Sequence, residues 1–129
     1  MSNITVIIPT HNRENVLGRA LDSVLRQSKQ PKQIIVVDDG STDNTQEFLR
    51  LKYPSITYIK QNQKGVSAAR NSGIRAANYD WIAFLDSDDV WMPRKLEACV
   101  AAPGAEAAPA GMRDCMSAIR SVVSGWLRK

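Results

Sequence analysis

The residues best suited to chemistry in this 129-residue chain are carboxylates, and they fall in two tight groups. Asp38, Asp39, Asp43 and Glu47 form one group and Asp80, Asp86, Asp88 and Asp89 the other, together eight of the thirteen acidic residues. In an extended segment, residues i and i+2 project to the same side, so Asp86–Ser87–Asp88–Asp89 is expected to bring the carboxylates of Asp86 and Asp88 together. Two carboxylates held side by side repel, and the pKa of one is expected to rise unless a cation lies between them. Hard oxygen ligands without His or Cys beside them favour magnesium, manganese or calcium over zinc. A cation held by only one or two protein carboxylates completes its shell with water and substrate phosphates, which points to a diphosphate ligand. The competing reading makes Asp88 or Asp89 the cap of a helix following Pro93.

Asp38–Asp39–Gly40–Ser41 also follows an apolar run. Successive residues there face opposite sides, so one carboxylate reaches a ligand while the other stays with the turn or a basic neighbour. A carboxylate at a strand end accepts from a base N–H or a ribose hydroxyl, and an Asx-turn with a helix cap is the structural alternative. His11 is the only histidine. It is placed to stack on a base or donate to a phosphate, or else to be merely solvated. Arg70 follows Ser67–Ala68–Ala69, and its planar fork suits a diphosphate, although a plain surface arginine is the cheaper explanation.

The elements that must position these groups follow from periodicity. Asn3–Pro9 reads as a buried strand. Val16, Leu17, Ala20, Leu21, Val24 and Leu25 repeat at helical spacing within a helix over Asn15–Gln27. Gln33–Val37 is a second strand, Thr42 or Asp43 caps a helix to about Lys52, and Ile56–Lys60 is a third strand. A loop holding Gly65 leads to a helix over Val66–Ala77. Trp81–Leu85 is the fourth strand, and a helix over Pro93–Val100 follows. Such alternation specifies an α/β fold, a mostly parallel sheet with helices on both faces. Sheets of this kind bind ligands at the carboxyl ends of their strands, where Thr10–His11–Asn12, Asp38–Asp39–Gly40 and Asp86–Ser87–Asp88 all lie.

Composition narrows the function classes. The +4 charge is spread from Arg13 to Lys129 without a basic stripe, so no nucleic-acid partner is expected. The apolar runs fall far short of the roughly 20 residues that span a bilayer, so no transmembrane segment is expected. Cys99 and Cys115, without an export signal, point to a reducing, cytoplasmic location. P-loop, dinucleotide-fingerprint and nucleophile-elbow motifs are missing from the sequence. A phospho-acceptor receiver domain would need a lysine after a later strand, and no apolar run after Asp89 supplies one. Residues 99–111 read as an Ala/Pro/Gly-rich linker and 112–129 as a short amphipathic tail helix. Its apolar stripe with Arg113, Arg120, Arg128 and Lys129 leaves room for peripheral contact with the inner face of a membrane.

Four segments in order carry a resemblance: Val6–Arg13, Ile35–Asp43, Gly65–Ile74 and Phe84–Asp89. Together, over residues 1–98, they resemble the nucleotide-sugar-binding half of family 2 glycosyltransferases of the GT-A fold. The resemblance implies an inverting transferase using a nucleotide-diphosphate sugar, a uridine diphosphate sugar by family precedent, with Mn2+ or Mg2+. It implies a saccharide or lipid-linked acceptor and a place in cell-surface polysaccharide or glycolipid synthesis. By position, Pro9, Thr10, His11 and Asn12 would flank the base, with His11 where the family often has an aromatic. Asp39 would accept from the base with Asp38 beside it, and Arg70 would lie near base or diphosphate. Asp86 would meet the ribose, and Asp88 would bind the metal, a Lewis acid toward the departing diphosphate. The family's general base lies in a later acceptor-binding half, and Glu97, Glu106 and Asp114 do not match its motif. The expectation is a shortened transferase, weak or inactive alone, with a non-catalytic nucleotide-binding module as the alternative.

Overall fold

A computed structural model describes residues 4–79 and 81–101. The element order is β1 (Ile4–Thr10), α1 (Glu14–Leu25), β2 (Gln33–Asp39), α2 (Thr45–Lys52), β3 (Thr57–Gln61), α3 (Val66–Ala76), β4 (Trp81–Phe84) and α4 (Lys95–Ala101). The strands form one parallel sheet in the order β3-β2-β1-β4. The chain moves outward from β1 through β2 to β3, then crosses back to lay β4 on the other side of β1. Parallel crossovers keep one hand, so reversing direction sends the connecting helix to the opposite face.

The core shows this division. Ile4, Val6, Ile8 and Val36 pack under Leu17, Ala20, Leu21 and Val24 of α1 and Leu49 of α2, with Trp91 and Leu96 completing that layer. The alternate residues Ile7, Ile35, Val37, Ile82 and Phe84 pack against Ala69 and Ala77 on the other face. Covering on both faces explains why β1 is buried along its whole length and is rich in β-branched apolar residues rather than alternating with exposed polar ones. Leu25, part of the helical repeat in the sequence, is instead exposed at the end of α1. The Gln30 side-chain amide caps that end, donating to the Leu25 and Gln27 carbonyls at 2.8 and 2.6 Å.

α3 comes unusually close to the sheet. A Cβ placed on Gly73 would sit 2.5 Å from Ile7 Cγ2, closer than two carbons can approach. The small face of α3 therefore fixes how near the helix lies to β1.

The fourfold alternation expected from periodicity is what the described residues form, with three differences. Asp38 and Asp39 belong to β2, paired opposite Lys60 and Gln61, rather than to a turn after it. Asp86–Asp89 is a tight turn closed by the Asp89 N–H donating to the Asp86 carbonyl at 3.0 Å, not an extended continuation of β4. α4 runs to Ala101, into the start of the segment read as a linker at 99. The remainder of that linker and the tail helix lie outside the described residues. Among the described residues no helix is long and apolar enough to cross a membrane.

Candidate donor-binding site

All four strands run the same way, so their carboxyl ends share one edge. The order reverses between β1 and β4, which leaves the crevice that open α/β sheets use for ligands. A pocket of about 470 Å³ lies there. Pro9, Thr10 and His11 reach it from the end of β1, Asp39 from β2, Arg70 from α3, and Asp86 and Asp88 from the turn after β4.

Asp39 is the best-ordered acid of the site. Its Oδ1 accepts from Gln61 Nε2 at 2.9 Å and from the Lys64 N–H at 2.8 Å, and its Oδ2 accepts from the Gly65 N–H at 2.9 Å. A carboxylate has about four acceptor positions, so one remains on Oδ2 for a ligand donor. Burial alone would raise the carboxyl, but the bonds from Gln61, Lys64 and Gly65 outweigh it and hold Asp39 below the ordinary aspartate range.

A folded-state pKa below the unfolded one stabilises the fold above the unfolded value, and that stability is lost as pH falls through the folded value. Asp43 is lowered in the same way, burial being offset by bonds from Thr45 and Glu14. Thermal stability should therefore fall as the pH drops below about 4. In Asp39→Asn that acid slope should flatten, while stability at neutral pH declines because an amide NH2 would face the loop's N–H donors. Melting temperatures from about pH 6 to about pH 3 read both effects. An unchanged slope in the variant would refute this account of Asp39.

His11 Nδ1 lies 2.8 Å from the Asp39 carbonyl, which only accepts, so Nδ1 carries the proton. Asn12 Oδ1 accepts from the Thr42 and Asp43 N–H groups at 2.8 and 3.3 Å. Its Nδ2 is thereby turned toward His11 Nε2 at 3.3 Å as a donor. Asn12 takes a left-handed conformation (φ 51°), which asparagine tolerates better than most residues. It thus lashes the β1–α1 loop to the β2–α2 loop and orients the His11 ring, and it does not line the pocket.

Asp38 points away from the pocket. It is 1% exposed, its Oδ1 accepts from the Ser41 N–H at 2.9 Å, and its Oδ2 accepts from Tyr58 Oη at 2.5 Å. Burial first, and this bond second, push the Tyr58 hydroxyl well above the usual tyrosine range. The alternation of the strand sends Asp39 to the ligand side and Asp38 to a structural role, as the two-sided geometry of β2 requires. Asp38 is thus separated from the other candidate ligand residues.

Arg70 lies over the Phe84 ring, its guanidinium carbon 5.7 Å from the centroid. Its Nη2 lies 3.3 Å from Asp86 Oδ1. Two buried polar atoms have no hydrogen-bond partner among the described residues, Arg70 Nε and Thr10 Oγ1, and both residues line the pocket. Unsatisfied buried groups are costly, and converging on one cavity they mark where a polar ligand would complete them.

The acidic turn fits a hard cation. Asp86, Asp88 and Asp89 each offer an oxygen, all within 4.8 Å of one another. Opposite ligands of an ion at roughly 2.1 Å stand roughly 4.2 Å apart, so little movement would close the group on magnesium or manganese. The convergence comes from the tight turn rather than from strand alternation. Neither Asp88 nor Asp89 caps α4: the Lys95 N–H donates to the Met92 carbonyl at 3.1 Å.

Sequence reasoning missed several lining residues. Arg13, Gln63, Val66 and Ser87 face the pocket, and Gln61 with the Lys64 and Gly65 amides hold Asp39. The one visible signal was Gly40. At φ 77° a Cβ there would meet Gln63 N at 3.0 Å, so the two loops pack against each other.

The profile of the family described as Glycosyl transferase family 2 matches residues 5–110. The chain belongs to glycosyl transferase family 2. Its relatives are longer. An uncharacterized glycosyltransferase of Nostoc sp. is 43% identical over 101 residues, covering 75% of this chain and 31% of the relative. The UDP-Glc:alpha-D-GlcNAc-diphosphoundecaprenol beta-1,3-glucosyltransferase WfgD of Escherichia coli is 37% identical over 98 residues, covering 73% of this chain and 38% of that protein. The chain thus spans about a third of the length of these two family 2 relatives.

Solved structures agree on the fold. S. aureus TarS 1-349 in complex with UDP-GlcNAc superposes with a TM-score of 0.67 at 29% identity, over 78% of this chain and 30% of that one. The mannosyltransferase PcManGT from Pyrobaculum calidifontis, in complex with GDP-Man and Mn2+, superposes with a TM-score of 0.65 at 28% identity, over 76% of this chain and 31% of that one. The parallel sheet is that of GT-A glycosyltransferases.

Proposed function

We propose that the pocket binds a nucleotide-diphosphate sugar with Mn2+ or Mg2+, as the donor site for inverting glycosyl transfer to an acceptor hydroxyl. The observation that carries this reading is the meeting, at the switch point of the sheet, of Asp39, Arg70 and the acidic turn at 86–89 around one cavity. A nucleotide-diphosphate sugar has parts to match: a base with N–H donors, a ribose with hydroxyls, and two phosphates that need cations. The TarS complex with UDP-GlcNAc and the PcManGT complex with GDP-Man and Mn2+ support the ligand class.

The free acceptor position on Asp39 receives a base N–H, with Pro9, Thr10 and His11 forming the wall beside it. Asp86 accepts from the ribose, and Arg70 brings its unpaired Nε–H and its charge to the diphosphate. Arg13, exposed at the start of α1 and lining the same pocket, adds a second cation. Asp88, with Asp86 and Asp89 close by, holds the divalent ion. When bound, that ion supplies Lewis acidity toward the departing nucleoside diphosphate.

A uridine diphosphate sugar is the proposed donor and a saccharide or lipid-linked hydroxyl the proposed acceptor, in cell-surface polysaccharide or glycolipid synthesis. The name of the WfgD relative supports both. Attack on the anomeric carbon needs a base within hydrogen-bond reach of the acceptor hydroxyl. Glu97 is engaged by Ser28 and Arg94, so no described residue is assigned that task. Donor binding is therefore tested apart from turnover.

Calorimetric titration of the full chain with uridine diphosphate, with and without Mn2+, tests the reading. Binding that tightens with Mn2+ is expected. Absence of binding in both conditions, or equal binding in both, would overturn it.

A further inference from the structure

We infer that Gln27, assisted by Ser23, is a positioning residue for the divalent-ion turn. The inference rests on the donor-and-cation reading above. The three acids of the turn at 86–89 are exposed while Ser87 is buried, and beyond the Asp89 N–H to Asp86 carbonyl bond and the Arg70–Asp86 contact the turn is held at its ends. The leading end is fixed by the sheet, where the Leu85 N–H donates to the Ile7 carbonyl at 3.1 Å. The trailing end is fixed from α1. The Trp91 N–H donates to Ser23 Oγ at 3.1 Å, while Ser23 Oγ donates to the Ala20 carbonyl at 2.7 Å. The five residues 86–90 are thus pinned between Leu85 and Trp91, both buried.

Gln27 secures the segment that follows. It is 3% exposed just past the end of α1, and its side chain spans to residues far away in sequence. Nε2 donates to the Ser23 carbonyl at 3.1 Å and to the Met92 carbonyl at 2.6 Å. Oε1 accepts from the Leu96 N–H at 2.9 Å. Both amide hydrogens and the oxygen are used, so the amide has one orientation and no apolar residue reproduces it. Ser23 and Gln27 stand one helical turn apart and together fix Trp91, Met92 and Leu96. A segment held this way keeps the carboxylates of the preceding turn near the geometry an ion requires.

The test uses the full chain and Gln27→Leu, which keeps the bulk and removes all three bonds. The quantity read is the gain in uridine diphosphate affinity that Mn2+ confers, together with Mn2+ binding followed directly by paramagnetic resonance of the free ion. The gain should fall about tenfold, with weaker Mn2+ binding in parallel. Ser23→Ala, a milder change, should lower the gain in the same direction, and it carries the test if Gln27→Leu does not fold. A folded variant with a lower melting temperature but an undiminished Mn2+ gain would overturn the inference and leave Gln27 merely structural. Failure of the unmodified chain to bind Mn2+ with uridine diphosphate would instead overturn the donor-site reading, so the two failures are distinguishable.

Discussion

Asp88→Ala should remove most of the effect of Mn2+ on nucleotide binding, weakening uridine diphosphate in the presence of the ion by about 100-fold. Asp86 is already compensated by Arg70 at 3.3 Å, whereas Asp88 has no hydrogen bond or ion pair among the described residues. Its charge stands beside those of Asp86 and Asp89, with oxygens within 4.8 Å. Without an ion, neutralising one of three adjacent carboxylates relieves repulsion, so the metal-free variant should be at least as stable as the unmodified chain. With Mn2+ and nucleotide, the unmodified chain should gain melting temperature because ligand binds only the folded state, and the variant should not. Thermal melts in the four combinations separate loss of the ion from loss of the fold. A variant that still gains melting temperature with Mn2+ would place the ion elsewhere.

Gly73→Ala is the second large effect, and it acts on stability. Alanine normally favours a helix over glycine by about 1 kcal/mol. Here the added methyl would lie 2.5 Å from Ile7 Cγ2 and 3.0 Å from Ile7 Cδ1, inside a fully buried contact between α3 and β1. Overpacking of this kind costs about 1–3 kcal/mol, so the clash should outweigh the propensity and the variant should be less stable. Ile7→Ala alone should cost about 2–5 kcal/mol by leaving a cavity. The double variant should be more stable than the sum of the two predicts, because the methyl added at position 73 occupies space that the Ile7 side chain vacated. Urea unfolding of the four proteins gives the cycle. Strict additivity would mean that α3 shifts freely and that its distance from the sheet is not set by Gly73.

α3 shifting would also disturb the site, since Arg70 stands one turn before Gly73 and reaches both Phe84 and Asp86. The close approach of a small helical face to the sheet is therefore a device for placing a guanidinium. This link between core packing and site could not be read from the chain. The small residues Ala68, Ala69 and Gly73 were visible, but which strand they meet depends on the crossover.

The candidate site was legible where one element supplies the answer. Thr10, His11, Asp39, Arg70, Asp86 and Asp88 all reach one pocket, because each follows or faces the carboxyl end of a parallel strand. It was illegible where two loops cooperate. Gln63, Lys64 and Gly65 lie in a polar loop with no periodicity, and the tie of Lys64 and Gly65 to Asp39 is a long-range pairing. Asn12 has the chemistry of a ligand contact and spends it instead on Thr42 and Asp43. Helix capping shows the same contrast: Thr42 or Asp43 was expected to cap α2, but the N-cap position falls to Asn44 without a side-chain cap bond, and Asp43 accepts from the Thr45 N–H at 3.1 Å while reaching across to the Glu14 N–H at 3.2 Å.

By itself the amino-acid order determined the alternation of strands and helices, the parallel sheet and the acids gathered at its carboxyl edge. Hydrophobic period and turn composition are local properties, and a chain with this pattern has few ways to bury its apolar stripes. Only the tertiary structure decided the order β3-β2-β1-β4, the turning of Asp38 away from Asp39, the tight turn that draws three carboxylates together and the hold of Gln27 on the segment behind it. Those outcomes depend on contacts between residues distant in sequence, whose partners are chosen by packing and by the need to satisfy buried polar groups.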